Sequence, residues 1–244
     1  MRIVPFIFNW RGQFDNAVRT EAALAALFDR VHVINSDETR TRPGWIDVGD
    51  SFYFTAQFLR ALDLFDGDVL FHVQADVSYG NWRGVLDNAL RYLARYHWGV
   101  FAPHVDFSNW TPAYADVPGI QFPDPHLRLV SCTDCTCWFI HRDVIDQMAT
   151  WRPLFERGRL GMGIDMTACA LSYLMNRPVL RDYEHVVDHP RSRGYDTTEA
   201  RAELAAFRLA ASGEVGLLLE QMTKQRSALA GRITLTAEGG VTPA

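Results

Sequence analysis

The feature that most constrains the fold is a regular alternation of short apolar runs and amphipathic segments along the first hundred residues. Strands that alternate with helices through short connections favour a doubly wound, mostly parallel sheet. We therefore predict an α/β fold with a Rossmann-like sheet. Pro5 lies inside the first run, where it cannot donate a ladder hydrogen bond. Strands are predicted over 2–8, 31–34, 69–75 and 99–103, and helices over 15–28, 51–65 and 84–97.

The remainder of the chain is less regular. A loop rich in proline, aromatic and aspartate residues covers 103–126, and one or two strands follow over 128–140. Helices are predicted over 143–150 and 164–176, and the residues after them, to about 225, are expected to form a helical tail. We expect a single domain over 1–225, followed by a C-terminal tail over 226–244 that could be flexible.

The composition is typical of a globular protein. The chain has 244 residues, of which 48% are hydrophobic, and its formal net charge is -5, which argues weakly against a general nucleic-acid binder. The first apolar run is too short for a signal peptide, and no apolar run of about 18 residues is present. We therefore expect a cytoplasmic protein with no transmembrane segment, whose four cysteines are reduced.

Polar side chains follow three of the predicted strands. Asn9, Asp37 and Asp76 each lie where a strand ends, and ligands of open α/β sheets bind outside the carboxyl ends of the strands. We expect the three side chains to converge on one crevice, unless they are simply ordinary polar strand ends. The sequence has no GxGxxG, GxxxxGK[ST] or GxSxG motif, so a glycine-rich phosphate cradle and a serine nucleophile are not indicated.

The stretch GDSFYFTAQFLRALDLFDGDVLFHVQAD, from Gly49 to Asp76, resembles the donor-binding core of GT-A glycosyltransferases, especially the family-2 type. Gln74-Ala75-Asp76 stands where that family has Asp-x-Asp. The resemblance implies that Asp76 is a ligand of Mn²⁺ or Mg²⁺, a role that suits a carboxylate at a strand tip. It also implies that Gln57 and Gln74 contact the donor. Because Gln74 replaces an acid, the dependence on metal is open.

Two further segments resemble the same family. LGMGIDM, 160–166, is similar to the Gly-x-Gly-Glu-Asp segment, which implies that Asp165 is the catalytic base; otherwise Asp165 caps the helix that follows. VVDHPRSRGYD, 186–196, implies that His189 joins the metal or the diphosphate, and that Arg191 and Arg193 reach phosphate oxygens. A structural histidine and a solvated arginine loop are the alternatives.

The first two strands match the family more loosely. VPFIFNW and VINSDE imply that Phe8, Asn9 and Asp37 line the nucleoside pocket. The segment SCTDCTCWF borders the sugar and acceptor in the family, which implies that Asp134 is a candidate contact to them. The spacing of its cysteines is typical of small buried residues and not of a zinc site. The aromatic residues of 107–126 either stack on a sugar ring or pin their own loop; they are Phe107, Trp110, Tyr114 and Phe122.

The resemblance extends over roughly residues 1–195. It implies a glycosyltransferase that moves a sugar from a nucleotide-diphosphate donor, with a UDP-sugar as the first expectation, to a hydroxyl acceptor, with inversion. The acceptor is open and could be a glycan, a lipid-linked sugar, a protein or a modified nucleic acid. Two alternatives remain: a sugar nucleotidyltransferase on the same scaffold, or a non-catalytic sugar- or nucleotide-binding module, since Gln74 and Ile164 both replace acids.

Overall fold

The computed structural model describes residues 1–50, 53–191, 195–234, 236, 240 and 241. Within these residues, eight strands form one continuous sheet: β1 Ile3–Asn9, β2 His32–Asn35, β3 Ile46–Asp47, β4 Val69–Gln74, β5 Val100–Val105, β6 Leu127–Leu129, β7 Cys137–His141 and β8 Val179–Val187. The strand order is β3-β2-β1-β4-β7-β5-β8-β6. The predicted α/β class is confirmed, and the region predicted to hold one or two strands holds both β6 and β7.

The sheet is parallel at one end and mixed at the other. Strands β3, β2, β1 and β4 run parallel to one another, whereas β7 is antiparallel to both of its neighbours, β4 and β5. Because β7 is reversed, the residues that precede it lie at the edge of the sheet where the parallel strands end. Its insertion thus brings a segment from the second half of the chain beside the C-terminal ends of β1 and β4.

Helices cover the sheet and account for most of the remaining described residues. They are α1 Phe14–Ala25, α2 Tyr53–Leu64, α3 Trp82–Tyr96, α4 Pro112–Ala115, α5 Arg142–Ala149, α6 Arg152–Phe155, α7 Ile164–Leu174, α8 Thr197–Ala210, α9 Gly213–Lys224 and α10 Ser227–Ala230. Helices α1, α2, α3, α5 and α7 pack on strands, and α9 packs on α7. Each predicted helix before residue 177 is present within a few residues of its expected bounds. None of the described helices is long and apolar enough to cross a bilayer.

The region after residue 176 does not begin as the predicted helical tail. It begins with β8, a nine-residue strand that pairs in parallel with β5 and antiparallel with β6. The sequence VLRDYEHVV hides this strand because its buried positions include charged side chains, Arg181 and Asp182, which are 2% and 0% exposed. Apolar periodicity is therefore weak there. The predicted helices follow as α8 and α9, and Leu229 of α10 is also buried.

Pro5 lies within a strand that is paired on both sides. The carbonyl of Asn9 faces β2 and that of Phe8 faces β4, so odd-numbered residues of β1 face β2. The pairing with β2 starts only at Phe6, opposite His32. The missing N–H of Pro5 therefore falls where the β1–β2 ladder has not yet begun, and no hydrogen bond is lost.

Candidate active site

An open cleft lies at the edge of the sheet where β1, β4, β5 and β8 end. Its space, including the solvent at its mouth, is about 950 Å³. Eight separate stretches of the chain contribute to it. The lining residues are Trp10, Tyr53, Phe54, Gln57, Gln74, Asp76, Phe107, Ser108, Asn109, Trp110, Asp134, Cys135, Thr136, Leu160, Gly161, Met162, Asp165, His189 and Tyr195.

Six of the residues predicted to form the site meet in this cleft. They are Gln57, Gln74, Asp76, Asp134, Asp165 and His189. Arg191 is exposed and does not line it, and Arg193 lies outside the described residues. The roles assigned to these residues stay predictions, but the convergence of three carboxylates and an imidazole is a property of the fold.

Phe8, Asn9 and Asp37 do not line the cleft. Phe8 is fully buried and packs against Phe54 and His72. Asn9 is also fully buried, and its amide donates to Asn35 at 2.7 Å. The convergence of Asn9, Asp37 and Asp76 on one crevice therefore does not occur within the described cleft.

Asp37 sits in a separate small depression that it shares with Asn35 and Asp47. Its Oδ1 accepts from the backbone N–H and the hydroxyl of Thr39, at 2.9 and 2.5 Å. These bonds close a turn after β2, so the carboxylate stabilises its own loop.

Gln57 joins two strand ends beneath the cleft. Its side-chain amide donates to the carbonyl of Asn9 at 2.6 Å and to that of Ile34 at 3.1 Å. Its Oε1 has no hydrogen-bond partner among the described residues. The side chain thus fixes the ends of β1 and β2 relative to α2.

Asp76 and His189 form the polar pair at one wall of the cleft. His189 Nε2 lies 3.5 Å from Asp76 Oδ2, and both side chains are largely buried, at 14% and 9% exposure. Burial alone would lower the pKa of His189, but the hydrogen bond and negative charge of Asp76 outweigh it and raise that pKa above its ordinary value. The backbone N–H of His189 donates to Asp106 at 2.8 Å, which holds the segment after β8 beside β5.

The donor set around Asp76 fits a divalent cation. Asp76 Oδ1 is buried and has no hydrogen-bond partner among the described residues, and leaving a buried carboxylate oxygen unpaired is costly. A carboxylate oxygen and an imidazole nitrogen are suitable ligands for Mn²⁺, and carboxylates suit Mg²⁺. The residues present therefore fit the metal that the resemblance implies.

Asp165 lies in the first turn of α7, far from Asp76 in the sequence. Gly163 is the N-cap of that helix, so Asp165 is its second residue and not its cap, although its Oδ1 accepts from the backbone N–H of Met166 at 2.8 Å. Its Oδ2 accepts from the indole N–H of Trp110 at 3.0 Å. Both oxygens are thus held in place within the cleft.

The electrostatic surroundings of Asp165 disfavour its charge. Burial and the nearby charge of Asp134 raise the pKa of Asp165 to about 6, against the lowering effect of the bonds from Trp110 and Met166. A carboxyl group with such a pKa is ionised near neutral pH and holds a proton more readily than an ordinary aspartate. These are the properties of a general base.

Asp134 is held by its own turn and by the loop after β5. Its Oδ1 accepts from the backbone N–H of Thr136 at 3.0 Å, and its Oδ2 accepts from the hydroxyl of Ser108 at 2.9 Å. The first bond closes the turn before β7, and the second ties that turn to the loop after β5. The cysteines of this segment are free, and Cys132 and Cys137 are buried, as expected for small packing residues.

Two glycines set the path into α7. Gly161 and Gly163 have φ values of +75° and +97°, and a Cβ on Gly163 would lie 2.4 Å from the ring of Phe207. A side chain at position 163 is therefore excluded both by backbone conformation and by the close approach of α8.

The Gly163→Ala variant is expected to lose about 2–4 kcal/mol of unfolding free energy, from left-handed strain and overpacking together. Urea denaturation followed by circular dichroism measures it. Gly80→Ala is the matched control, because Gly80 has no heavy atom within 4 Å of the added Cβ and no positive φ. Equal midpoints for the two variants would contradict the account of α7.

Several lining residues were not predicted from the sequence. Trp10 and Tyr53 pack edge to face, with ring centroids 5.9 Å apart, and Ser108 and Tyr195 also line the cleft. The position of Trp10 directly after β1 is the signal that could have identified it. In the aromatic loop, Phe107 and Trp110 line the cleft, whereas Tyr114 is 70% exposed and Phe122 packs on Tyr96.

The cleft is acidic. It contains three carboxylates, and no lysine or arginine is among the described residues that line it. The nearest counterpart to these charges is the imidazole of His189. A bound anion would therefore need a cation as partner, because it would otherwise face uncompensated negative charge in a partly desolvated site.

No protein-family model matches the chain. No curated protein matches its sequence either. Among solved structures, it is similar to residues 1–349 of S. aureus TarS in complex with UDP-GlcNAc, with a TM-score of 0.54 and 12% identity, over 95% of this chain and 72% of that one. This similarity confirms a GT-A-type fold.

Two weaker similarities involve other nucleotide-sugar proteins. One is a Bacillus anthracis protein assigned as a glucose-1-phosphate thymidylyltransferase, in complex with a sucrose, at TM-score 0.49 and 11% identity over 88% of this chain and 99% of that one. The other is a UDP-glucose pyrophosphorylase complexed with UDP-glucose. Its TM-score is 0.46 and its sequence identity 8%, over 86% of this chain and 98% of that one. Similarities this low do not establish a shared fold.

Proposed function

We propose that this protein is a glycosyltransferase that moves a sugar from a nucleotide-diphosphate donor to a hydroxyl acceptor with inversion. The observation that carries the proposal is the joint presence, in one cleft at the strand ends, of Asp165 and of the Asp76–His189 pair. Asp165 is suited to accept a proton, and the Asp76–His189 pair is suited to hold the cation that accompanies a diphosphate. A UDP-sugar is the first donor to test, since TarS was solved with UDP-GlcNAc.

In the proposed reaction Asp165 removes the proton of the acceptor hydroxyl as that oxygen attacks the anomeric carbon. The bond between the anomeric carbon and the diphosphate oxygen breaks, and the nucleoside diphosphate leaves with the bonding electron pair. The raised pKa of Asp165 makes it a better proton acceptor than an ordinary aspartate. A single base of this kind is sufficient for one inverting displacement.

In the same cleft, Asp76 and His189 would hold the cation. When bound, Mn²⁺ or Mg²⁺ neutralises the charge on the departing diphosphate. The acidic lining of the cleft makes this neutralisation necessary, because no described lining residue is a lysine or arginine. Gln74 borders the same space with a neutral amide, and Gln57 offers as an acceptor its Oε1, which has no hydrogen-bond partner among the described residues. Both groups suit the hydroxyls of a sugar or ribose.

The proposal is tested by incubating the protein with radiolabelled UDP-, GDP- and dTDP-sugars, Mn²⁺ and simple saccharide acceptors, and measuring transfer and donor hydrolysis. Mn²⁺-dependent release of the nucleoside diphosphate from one donor would support it. Formation of a sugar nucleotide from a nucleoside triphosphate and a sugar 1-phosphate would instead identify a nucleotidyltransferase. Binding of a donor with neither reaction would indicate a binding module.

The rate is expected to fall at acidic pH. Asp165 must be ionised to act, and its pKa is about 6, so kcat/KM should decrease tenfold per pH unit below that value and level off above it. The measurement is kcat/KM from pH 4.5 to 8.5 at saturating Mn²⁺. A kcat/KM that stays level down to pH 5 would show that a carboxyl group with an ordinary pKa is the base.

A further inference from the structure

The loop after β5 connects the two carboxylates on one side of the cleft. The indole N–H of Trp110 donates to Asp165 at 3.0 Å. The backbone N–H of the same residue donates to Ser108 Oγ at 3.0 Å, and that hydroxyl donates to Asp134 at 2.9 Å. One short segment, residues 108–110, thus supplies a donor to each acid, although 55 residues separate Trp110 from Asp165.

This segment is anchored from below by a buried arginine. Arg181 of β8 is 2% exposed, and its guanidinium donates to the carbonyl of Trp110 at 2.7 Å and to that of Cys132 at 3.1 Å. A buried guanidinium requires acceptors, and these two carbonyls belong to loops that border the cleft. Arg181 therefore fixes the backbone from which the Trp110 indole reaches Asp165.

We propose that Trp110 is a positioning residue for Asp165, its indole N–H holding Oδ2 in the orientation and ionised form that proton transfer requires. This rests on the proposed function. The bond from Trp110 leaves acceptor capacity on the carboxylate, because an ionised carboxylate has about four acceptor positions and, among the described residues, Met166 N donates to one oxygen and Trp110 Nε1 to the other. The acceptor hydroxyl can therefore still deliver its proton to Asp165.

The groups that face Asp165 make this donor important. Asp134 adds negative charge, and the thiols of Cys132 and Cys135 stay neutral because burial raises their pKa values. The two N–H groups that bond to Asp165 oppose these effects. Trp110 thus supplies a side-chain donor that favours the ionised base against Asp134 and the apolar surroundings.

The first test does not depend on activity. In ¹H–¹⁵N spectra of the ¹⁵N-labelled protein, the indole resonance of Trp110, assigned with Trp110→Phe, is expected to shift with pH along a single titration curve, as Asp165 ionises. The Asp165→Asn variant should abolish that curve. A Trp110 resonance that does not respond to pH in the wild type would overturn the proposal.

The second test compares two tryptophans of the same cleft. Trp110→Phe keeps an aromatic ring but removes the N–H, and Trp10→Phe makes the same chemical change where no bond to Asp165 exists. The acid limb of kcat/KM is expected to move up by about one pH unit in Trp110→Phe and to stay at the wild-type pH in Trp10→Phe. The acceptor KM should be unchanged in Trp110→Phe.

Other results would overturn the positioning role. A raised acceptor KM with an unmoved acid limb would make Trp110 a stacking surface for the sugar. A higher kcat in Trp110→Phe would make its bond to Asp165 an inhibitory latch. Absence of transfer by the wild type overturns the proposed function instead, and the indole titration then decides the Trp110–Asp165 link alone.

Discussion

The Asp165→Asn variant is expected to lose a factor of about 10²–10⁴ in kcat, the usual contribution of a general base. An asparagine has nearly the same shape but cannot accept the acceptor's proton at neutral pH. The substitution also removes the repulsion between Asp165 and Asp134, so the folded state should not lose stability from charge. Single-turnover transfer assays at pH 7.5 measure the loss, and thermal melting shows that the variant is folded.

Asp146→Asn is the matched control, because it makes the same change on the exposed surface of α5, where Asp146 pairs with Arg142. Its kcat should equal that of the wild type. Asp134→Asn distinguishes the two acids of the cleft. Asp134 is engaged with Ser108 and the turn before β7, so its loss should be smaller. A larger loss in Asp134→Asn than in Asp165→Asn would transfer the role of base to Asp134.

Much of this site can be inferred from the sequence because parallel strands end at one edge of a sheet. An apolar strand followed by an acid was enough to place Asp76 there. Asp165 followed from the resemblance of residues 160–166 to the Gly-x-Gly-Glu-Asp segment of GT-A glycosyltransferases, and the structure supplies the reason for the two glycines in their positive φ values. Local chain geometry, which short sequence patterns specify, thus determined the position of Asp76, whereas the position of Asp165 came from the resemblance.

The features that escaped prediction depend on contacts between distant parts of the chain. Nothing in the sequence around Cys137 specifies that β7 enters the sheet between β4 and β5 in the reverse direction. An arginine such as Arg181 is usually exposed. Its burial in β8 is explained by two loop carbonyls that accept hydrogen bonds from its guanidinium. The loop 103–126 has no periodicity, so the partner of Trp110 could not be inferred.

Asp37 shows the opposite case, in which a local pattern predicts a convergence that tertiary structure does not produce. It ends β2 as expected, but its carboxylate is engaged by Thr39. Asn9 is drawn into the interior by Asn35 in a similar way. Polar side chains at strand ends either face a ligand or satisfy the turn that follows, and the sequence does not separate these two uses.

The Asp76→Asn variant is expected to lose the cation-dependent stabilisation that a donor nucleotide gives the wild type. A ligand at about 100 times its Kd adds about 2.7 kcal/mol, which for a chain of this size corresponds to a rise in Tm of roughly 5–10 °C. The neutral amide cannot replace the unpaired, buried Oδ1 of Asp76 as an anionic ligand. Thermal melting with UDP and Mn²⁺, each added alone and together, measures the effect.

Asp87→Asn, on the exposed side of α3, is the control and should keep the full shift. The Asp76→Asn variant should also distinguish cation binding from nucleotide binding. If Asp76 holds the cation, UDP with Mn²⁺ raises the Tm of Asp76→Asn by no more than UDP alone. If the variant instead keeps the wild-type shift, Asp76 does not hold the cation. The cation that neutralises the acidic cleft would then have to be held by Asp134 or Asp165. If Asp165 held it, Asp165 could not serve as the base.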